Sequence, residues 1–139
     1  MRVGFIQNNP VFGEVRYNLS KVESLLTQNT ADLMVLPELF STGYHFLTQE
    51  EALKLSEPIP EGLTTKTLIR ICDKNQTSII AGIAERDGNR SYNSAVVVGP
   101  QGYLGKYRKI HLFGTEKNCF DRGDLPLRVF DIGSARVGV

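Results

Sequence analysis

The sequence predicts an α/β fold, a mixed sheet covered by helices, and three observations carry that reading. Short continuous apolar runs at Val3 to Ile6 and Leu33 to Leu36 have the length and composition of buried strands, and a proline follows each. An amphipathic segment lies between them, giving the strand, helix, strand order of a parallel unit. From Ser78 onward, apolar runs alternate with Gly-containing turns, which predicts an antiparallel continuation of the sheet.

The first strand closes at Asn8, Asn9 and Pro10, a turn signal. Tyr17, Val22, Leu25 and Leu26 then fall near a helical period with Lys21, Glu23 and Ser24 facing elsewhere, so an amphipathic helix is expected to stop near Asn29. Pro37 ends the second strand. Pro58, Pro60 and Gly62 break the chain before a second helix, in which Leu68, Ile71 and Cys72 share one face and Lys66, Arg70 and Lys74 another. Cys72 is thereby placed in the core.

Three strands follow, Ser78 to Glu85, Tyr92 to Val98 and Tyr103 to Tyr107, separated by Asp87-Gly88-Asn89 and Pro100-Gln101-Gly102. Asp-Gly between two apolar runs is a strong hairpin signal, so these strands read as an antiparallel meander. Leu127 to Ile132 and Ala135 to Val139 read as two more strands about Gly133-Ser134. The last of them stops in mid-strand, so residues 1–139 are expected to form an incomplete domain of a longer protein.

Composition narrows the function classes. Sixteen Lys and Arg balance fifteen Asp and Glu, and a formal net charge of +1 supplies no general field for phosphate backbones or anionic lipid, so neither nucleic acid nor membrane is an expected partner. Two cysteines are too few for a disulfide framework and show no zinc-site spacing, which fits a reducing cytoplasm. No apolar stretch near the N-terminus has the length of a signal h-region or a membrane span.

Candidate chemistry sits at strand ends, where side chains escape the packed layers while the backbone stays rigid. Glu38 directly follows the second strand in Pro37-Glu38-Leu39-Phe40, and a half-buried carboxylate there suits a general base. The competing reading is a solvated strand-end glutamate. Lys109 lies in an aromatic and aliphatic stretch, Tyr107 to Phe113, where an ammonium beside a carboxylate can serve as a fixed oxyanion donor; an edge-strand lysine that discourages aggregation is the alternative. Glu116, Asp121 and Asp124 taken alone read as solvated loop charges. His111 and Cys119 could suggest a thiol and imidazole pair, but sequence proximity supplies neither the contact nor the third group such a pair needs, and Cys119 is set aside as a nucleophile.

Taken in order, Pro37-Glu38-Leu39-Phe40-Ser41-Thr42-Gly43-Tyr44, Tyr92-Asn93-Ser94-Ala95, Gly105 to Phe113 and Gly123-Asp124 resemble the nitrilase superfamily of carbon-nitrogen hydrolases, closest to its short prokaryotic nitrilase and aliphatic amidase members. The resemblance runs through the whole chain. It implies the N-terminal portion of a four-layer αββα sandwich and a Glu, Lys, Cys triad, with Glu38 as base, Lys109 stabilising charge on the attacked centre and Glu116 as a second glutamate that orients the lysine or the substrate. By position in the motifs, Tyr44 and Phe113 are expected to line the substrate pocket. The family's nucleophilic cysteine belongs just beyond Val137-Gly138-Val139, and neither Cys72 nor Cys119 occupies that position.

The resemblance therefore implies hydrolysis of a small aliphatic amide or nitrile by the complete protein, without metal or organic cofactor, and a homodimer or other homo-oligomer. This chain alone is expected to be inactive. A half-sandwich that docks on a partner without catalysis is the competing function.

Overall fold

The computed structural model describes residues 1–139. Its strands are β1 (Val3–Phe5), β2 (Leu33–Val35), β3 (Ser78–Asp87), β4 (Arg90–Gly99), β5 (Gly102–Arg108), β6 (Val129–Asp131) and β7 (Arg136–Gly138). The first five form one sheet in chain order. β1, β2 and β3 pair in parallel, β3, β4 and β5 antiparallel, so the mixed sheet and its meander are as the sequence predicts. The hairpin β6–β7 is separate from the main sheet.

Helices α1 (Val15–Gln28) and α3 (Leu63–Asn75) cover one face. Because strand side chains alternate, Ile79, Ala81 and Ile83 of β3 point to that face, and they join Val22, Leu26, Leu68, Ile71 and Cys72 in a core of sixteen buried apolar residues. Burial pushes the Cys72 thiol up to about 12, which makes it an inert packing group, as placed from the sequence. The opposite face carries a cluster of only four buried apolar residues, Leu33, Val97, Phe130 and Ile132, where the β6–β7 hairpin lies over the sheet. The helical face is the main core.

Three details differ from the sequence reading. β1 is not buried: Val3 and Phe5 are 58% and 76% exposed, because β1 is the sheet's edge strand and these two side chains share the thinly covered face with their partners Leu33 and Val35. On α1 the inward face is Asn18, Leu19, Val22 and Leu26, while Tyr17 and Leu25 stay largely exposed. The i, i+4 row through 18, 22 and 26 wins because Asn18, though polar, has its amide satisfied by Val11 and by the Ser41 carbonyl. Finally, the helix α2 (Gln49–Leu55) was not anticipated. Its signal is an N-cap threonine with a glutamate three residues on, Thr48-Gln49-Glu50-Glu51: the Thr48 hydroxyl accepts from the Glu51 N–H, and the Glu51 carboxylate accepts from the N–H of Leu47, just before the cap.

The end of β5 is anchored on the helical side of the sheet. Arg108 donates to Glu85, to Asp87 at 2.8 Å and to Asp124 at 3.0 Å, and its guanidinium lies 3.9 Å over the Tyr92 ring. Asp124 is thus an ion-pair partner and not the solvated loop charge expected. Glu85 is fully buried and also accepts from Lys106 and Ser94. Burial drives the Glu85 carboxyl up, but Arg108, Lys106 and Ser94 outweigh it and hold it below the ordinary glutamate value.

A depressed carboxyl contributes stability that is fully present above the unfolded-state range near pH 4.3 and is lost as pH falls through the lower folded value. Urea midpoints measured at pH 7 and through the acid range are therefore expected to fall toward low pH. Glu85→Gln should be less stable at pH 7 and show a flatter acid dependence. Parallel curves for the two proteins would contradict the assignment.

Candidate active site

Glu38 owes its position to a glycine. Beyond β2 the chain keeps running beside β3: the Leu36 N–H donates to the Ile80 carbonyl at 2.8 Å, the Gly82 N–H to the Pro37 carbonyl and the Phe40 N–H to the Gly82 carbonyl, both at 3.2 Å. Gly82 thus grips the backbone on both sides of Glu38. A Cβ at Gly82 would overlap the Glu38 Cα and come within 2.9 Å of the Leu39 nitrogen, so only glycine permits this approach. Leu39 completes the turn in the left-handed region, φ 49°, a conformation held by burial of its side chain. Gly82→Ala is expected to displace Glu38 and to destabilise the protein by about 1–3 kcal/mol, the range for overpacking. Denaturant unfolding checks this, and an unchanged midpoint would show that the turn yields freely.

Lys109 follows β5, one residue past Arg108, and alternation sends it to the face opposite the Arg108 cluster. Its N–H donates to the Asn93 carbonyl at 2.8 Å and its carbonyl accepts from Gly123 at 3.0 Å. The backbone is thereby tied on one side to β4 and on the other to the 120–124 loop. Its ammonium donates to Glu38 Oε1 at 2.8 Å and to Glu116 Oε1 at 3.1 Å, and it forms an ion pair with Glu116 Oε2 at 3.0 Å.

Glu116 sits in a single 3-10 turn, Gly114–Asn118. Its Oε2 accepts from the Phe113 N–H at 2.8 Å, which aims the carboxylate back at Lys109. Partial burial pushes the Glu116 carboxyl up, but the Phe113 N–H, Lys109 and Asn93 together hold it below the ordinary glutamate value. For Lys109, burial lowers the ammonium's affinity for its proton and the two carboxylates more than restore it, so Lys109 stays charged. The three residues singled out from the sequence, Glu38, Lys109 and Glu116, thus meet at one point. Glu116 is part of this cluster and not a free loop charge.

The cluster forms one side of a cavity of about 570 Å³ whose other walls include Leu39, Phe46 and Phe120. That volume suits a small organic molecule with one polar and one apolar end. Tyr44 and Phe113 also line it. Tyr44 does so through chemistry as well as shape, since its hydroxyl donates to Glu38 Oε2. Phe113 is 83% exposed and stands at the rim. Cys119 reaches the same cavity but is buried, donates its thiol to the Phe46 carbonyl at 3.5 Å, and has its pKa raised by burial and then by Glu51 and Glu116. A thiol in that state is a poor nucleophile. No group of three or more His, Cys, Asp or Glu side chains is arranged to hold a metal ion.

The geometry sets a carboxylate and a fixed cation side by side on one wall of the cavity, where both can face the same reacting group. The profile of one family, Carbon-nitrogen hydrolase, matches residues 2–139. The chain belongs to the carbon-nitrogen hydrolase family. Among its curated relatives, a nitrilase of Pyrococcus abyssi is 51% identical over 142 residues, covering all of this chain and 54% of the relative. Among solved structures, an N-terminal amidase superposes with a TM-score of 0.83 at 32% identity, over 93% of this chain and 32% of the amidase. A CN-hydrolase superfamily protein from Xanthomonas campestris superposes with a TM-score of 0.85 over 99% of this chain and 51% of its own, at 21% identity, which bears on the fold alone. The chain spans about half the length of the nitrilase it matches. The family's fold, expected from the motifs, is therefore established for these residues, with one helical layer on one sheet.

Two residues that touch this cluster were not singled out from the sequence. Gly82 had a readable signal, a lone glycine inside a strand pattern, which marks close backbone approach. Asn93 was visible only as one letter of Tyr92-Asn93-Ser94-Ala95, because nothing local indicates that its amide meets two carboxylates distant in sequence.

Proposed function

We propose that the complete protein hydrolyses the carbon-nitrogen bond of a small aliphatic amide or nitrile, with Glu38 as general base, Lys109 as oxyanion donor and a cysteine supplied by sequence outside these 139 residues. The observation that carries this reading is one ammonium bridging two carboxylates on the polar side of a cavity whose remaining walls are largely apolar. Glu38 Oε1 is saturated by Lys109 and Asn93, so Oε2, held only by the half-exposed Tyr44, is the oxygen that takes a proton.

The chemistry balances with these groups. Glu38 accepts the thiol proton as the sulfur attacks the carbonyl carbon, and the carbonyl oxygen becomes an anion facing Lys109. Collapse of this adduct breaks the carbon-nitrogen bond, the Glu38 carboxylic acid protonates the departing nitrogen, and a thioester remains. Water then attacks the thioester, Glu38 taking its proton, and the carboxylate leaves while the thiol is reformed. With a nitrile the first adduct is a thioimidate, and water is added before ammonia departs. Glu116, fixed by the Phe113 N–H, keeps the ammonium aimed through both half-reactions.

Tyr44 and Phe113 would contact the acyl group, the first from the base side and the second from the rim. Ammonia release from a panel of short amides and nitriles tests the reading. Turnover of short aliphatic substrates is expected, and the panel decides between the two substrate types. A folded complete protein that releases no ammonia from any of them would contradict it and favour the non-catalytic docking module.

A further inference from the structure

We propose that Asn93 is a positioning residue of this site, a neutral clamp that holds the Glu38 and Glu116 carboxylates together with a single cation between them. The proposal deepens the hydrolase reading and rests on it for its kinetic part only. Asn93 lies on β4 with 3% of its surface exposed, so its side-chain amide is cut off from water and must find partners inside the protein. Nδ2 has two hydrogens and spends them on two carboxylates: it donates to Glu38 Oε1 and, at 3.2 Å, to Glu116 Oε1. Both acceptors are carboxylate oxygens, which can only accept when ionised, so the NH2 end of the amide must face them.

Those same two oxygens receive the Lys109 ammonium, at 2.8 and 3.1 Å. Glu38 Oε1, Lys109 Nζ, Glu116 Oε1 and Asn93 Nδ2 therefore close a four-membered ring of donors and acceptors. The Asn93 carbonyl also accepts the Lys109 N–H, so one residue touches all three members of the cluster. Two carboxylates and one ammonium leave the ring with one net negative charge, and two carboxylates this close repel each other. A second lysine at position 93 would cancel that charge and tie up the base in ion pairs. An aspartate would add a third carboxylate. An amide supplies a second bridging donor without changing the charge, which leaves Glu38 free to gain and lose a proton while its position is kept.

The direct test needs no variant. In the 15N-labelled wild-type protein, both side-chain amide protons of Asn93 are expected to shift together with pH, with the same midpoint as the Glu116 carboxyl followed by 13C. Asn93 amide signals that ignore the Glu116 titration would overturn the proposal. In Asn93→Ala the Glu116 titration should move to higher pH, toward the ordinary glutamate range, because a hydrogen bond to the charged form is lost. In the complete enzyme kcat should fall on the order of 10²-fold with little change in KM, the cost of misplaced reacting groups.

Asn93→Asp keeps the shape and loses the donor, so it should be at least as slow as Asn93→Ala. An Asn93→Asp protein with wild-type kcat, or a folded Asn93→Ala protein with an unmoved Glu116 titration, would show that Asn93 merely fills space. If the wild-type protein hydrolyses nothing, the hydrolase reading falls, while the two titrations still decide whether the clamp exists.

Discussion

Glu38→Gln is expected to leave the complete protein folded and to remove roughly 10² to 10⁴ of its turnover, the contribution of a positioned general base. The amide is nearly isosteric with the carboxylate. It can still accept from Lys109 through its oxygen, and the Gly82 grip on the backbone involves no Glu38 side-chain atom. What it cannot do is accept a thiol proton. The loss should appear in both kcat and kcat/KM, because the proton moves in the transition state and the ground state does not need it. Circular dichroism and denaturant unfolding establish that the variant is folded. Near-normal turnover from a folded Glu38→Gln protein would remove Glu38 from the mechanism.

Lys109→Met should cost about 10² to 10³ in kcat, the usual loss on deleting one preorganised oxyanion donor. Methionine keeps most of the stem's packing and deletes only the charge. The effect reaches beyond the oxyanion, since Lys109 is the one cation between Glu38 and Glu116 and its removal leaves two carboxylates sharing the Asn93 amide. Their repulsion favours protonation of one of them, so the acid side of the pH–rate profile should move to higher pH as well. Measuring kcat, KM and the pH profile together checks this. A variant changed only in KM would make Lys109 a substrate-binding group and not a charge stabiliser.

The local rules of sequence carry far in this chain, and they stop where partners are distant. β3, β4 and β5 were readable because Asp87-Gly88-Asn89 and Pro100-Gln101-Gly102 punctuate apolar runs, and hairpin pairing is local. The burial of β1 was misjudged because an apolar run reports that a strand exists, not whether the sheet has a neighbour or a cover there. Helix α2 was missed although its Thr48 and Glu51 cap was in plain view, since a helix of seven residues offers too little periodicity to notice. At the site, Glu38 and Lys109 could be singled out from their places at strand ends. Their mutual contact spans 71 positions of sequence and follows from the sheet register, which no local pattern states. Glu116 needed the family resemblance, because a glutamate in a charged loop looks solvated until the Phe113 N–H turns it inward.

The proposed mechanism uses a base and an oxyanion donor from these residues and a nucleophile from elsewhere in the complete protein. Peptide-mapped mass spectrometry after rapid acid quenching with a slowly turned-over short aliphatic amide reads this directly. The expected result is an acyl group on a cysteine outside residues 1–139 of the complete protein, its absence in Glu38→Gln, and no adduct on the 139-residue chain by itself. An acyl group on Cys119 or Cys72, carried by a 139-residue chain that releases ammonia, would contradict it.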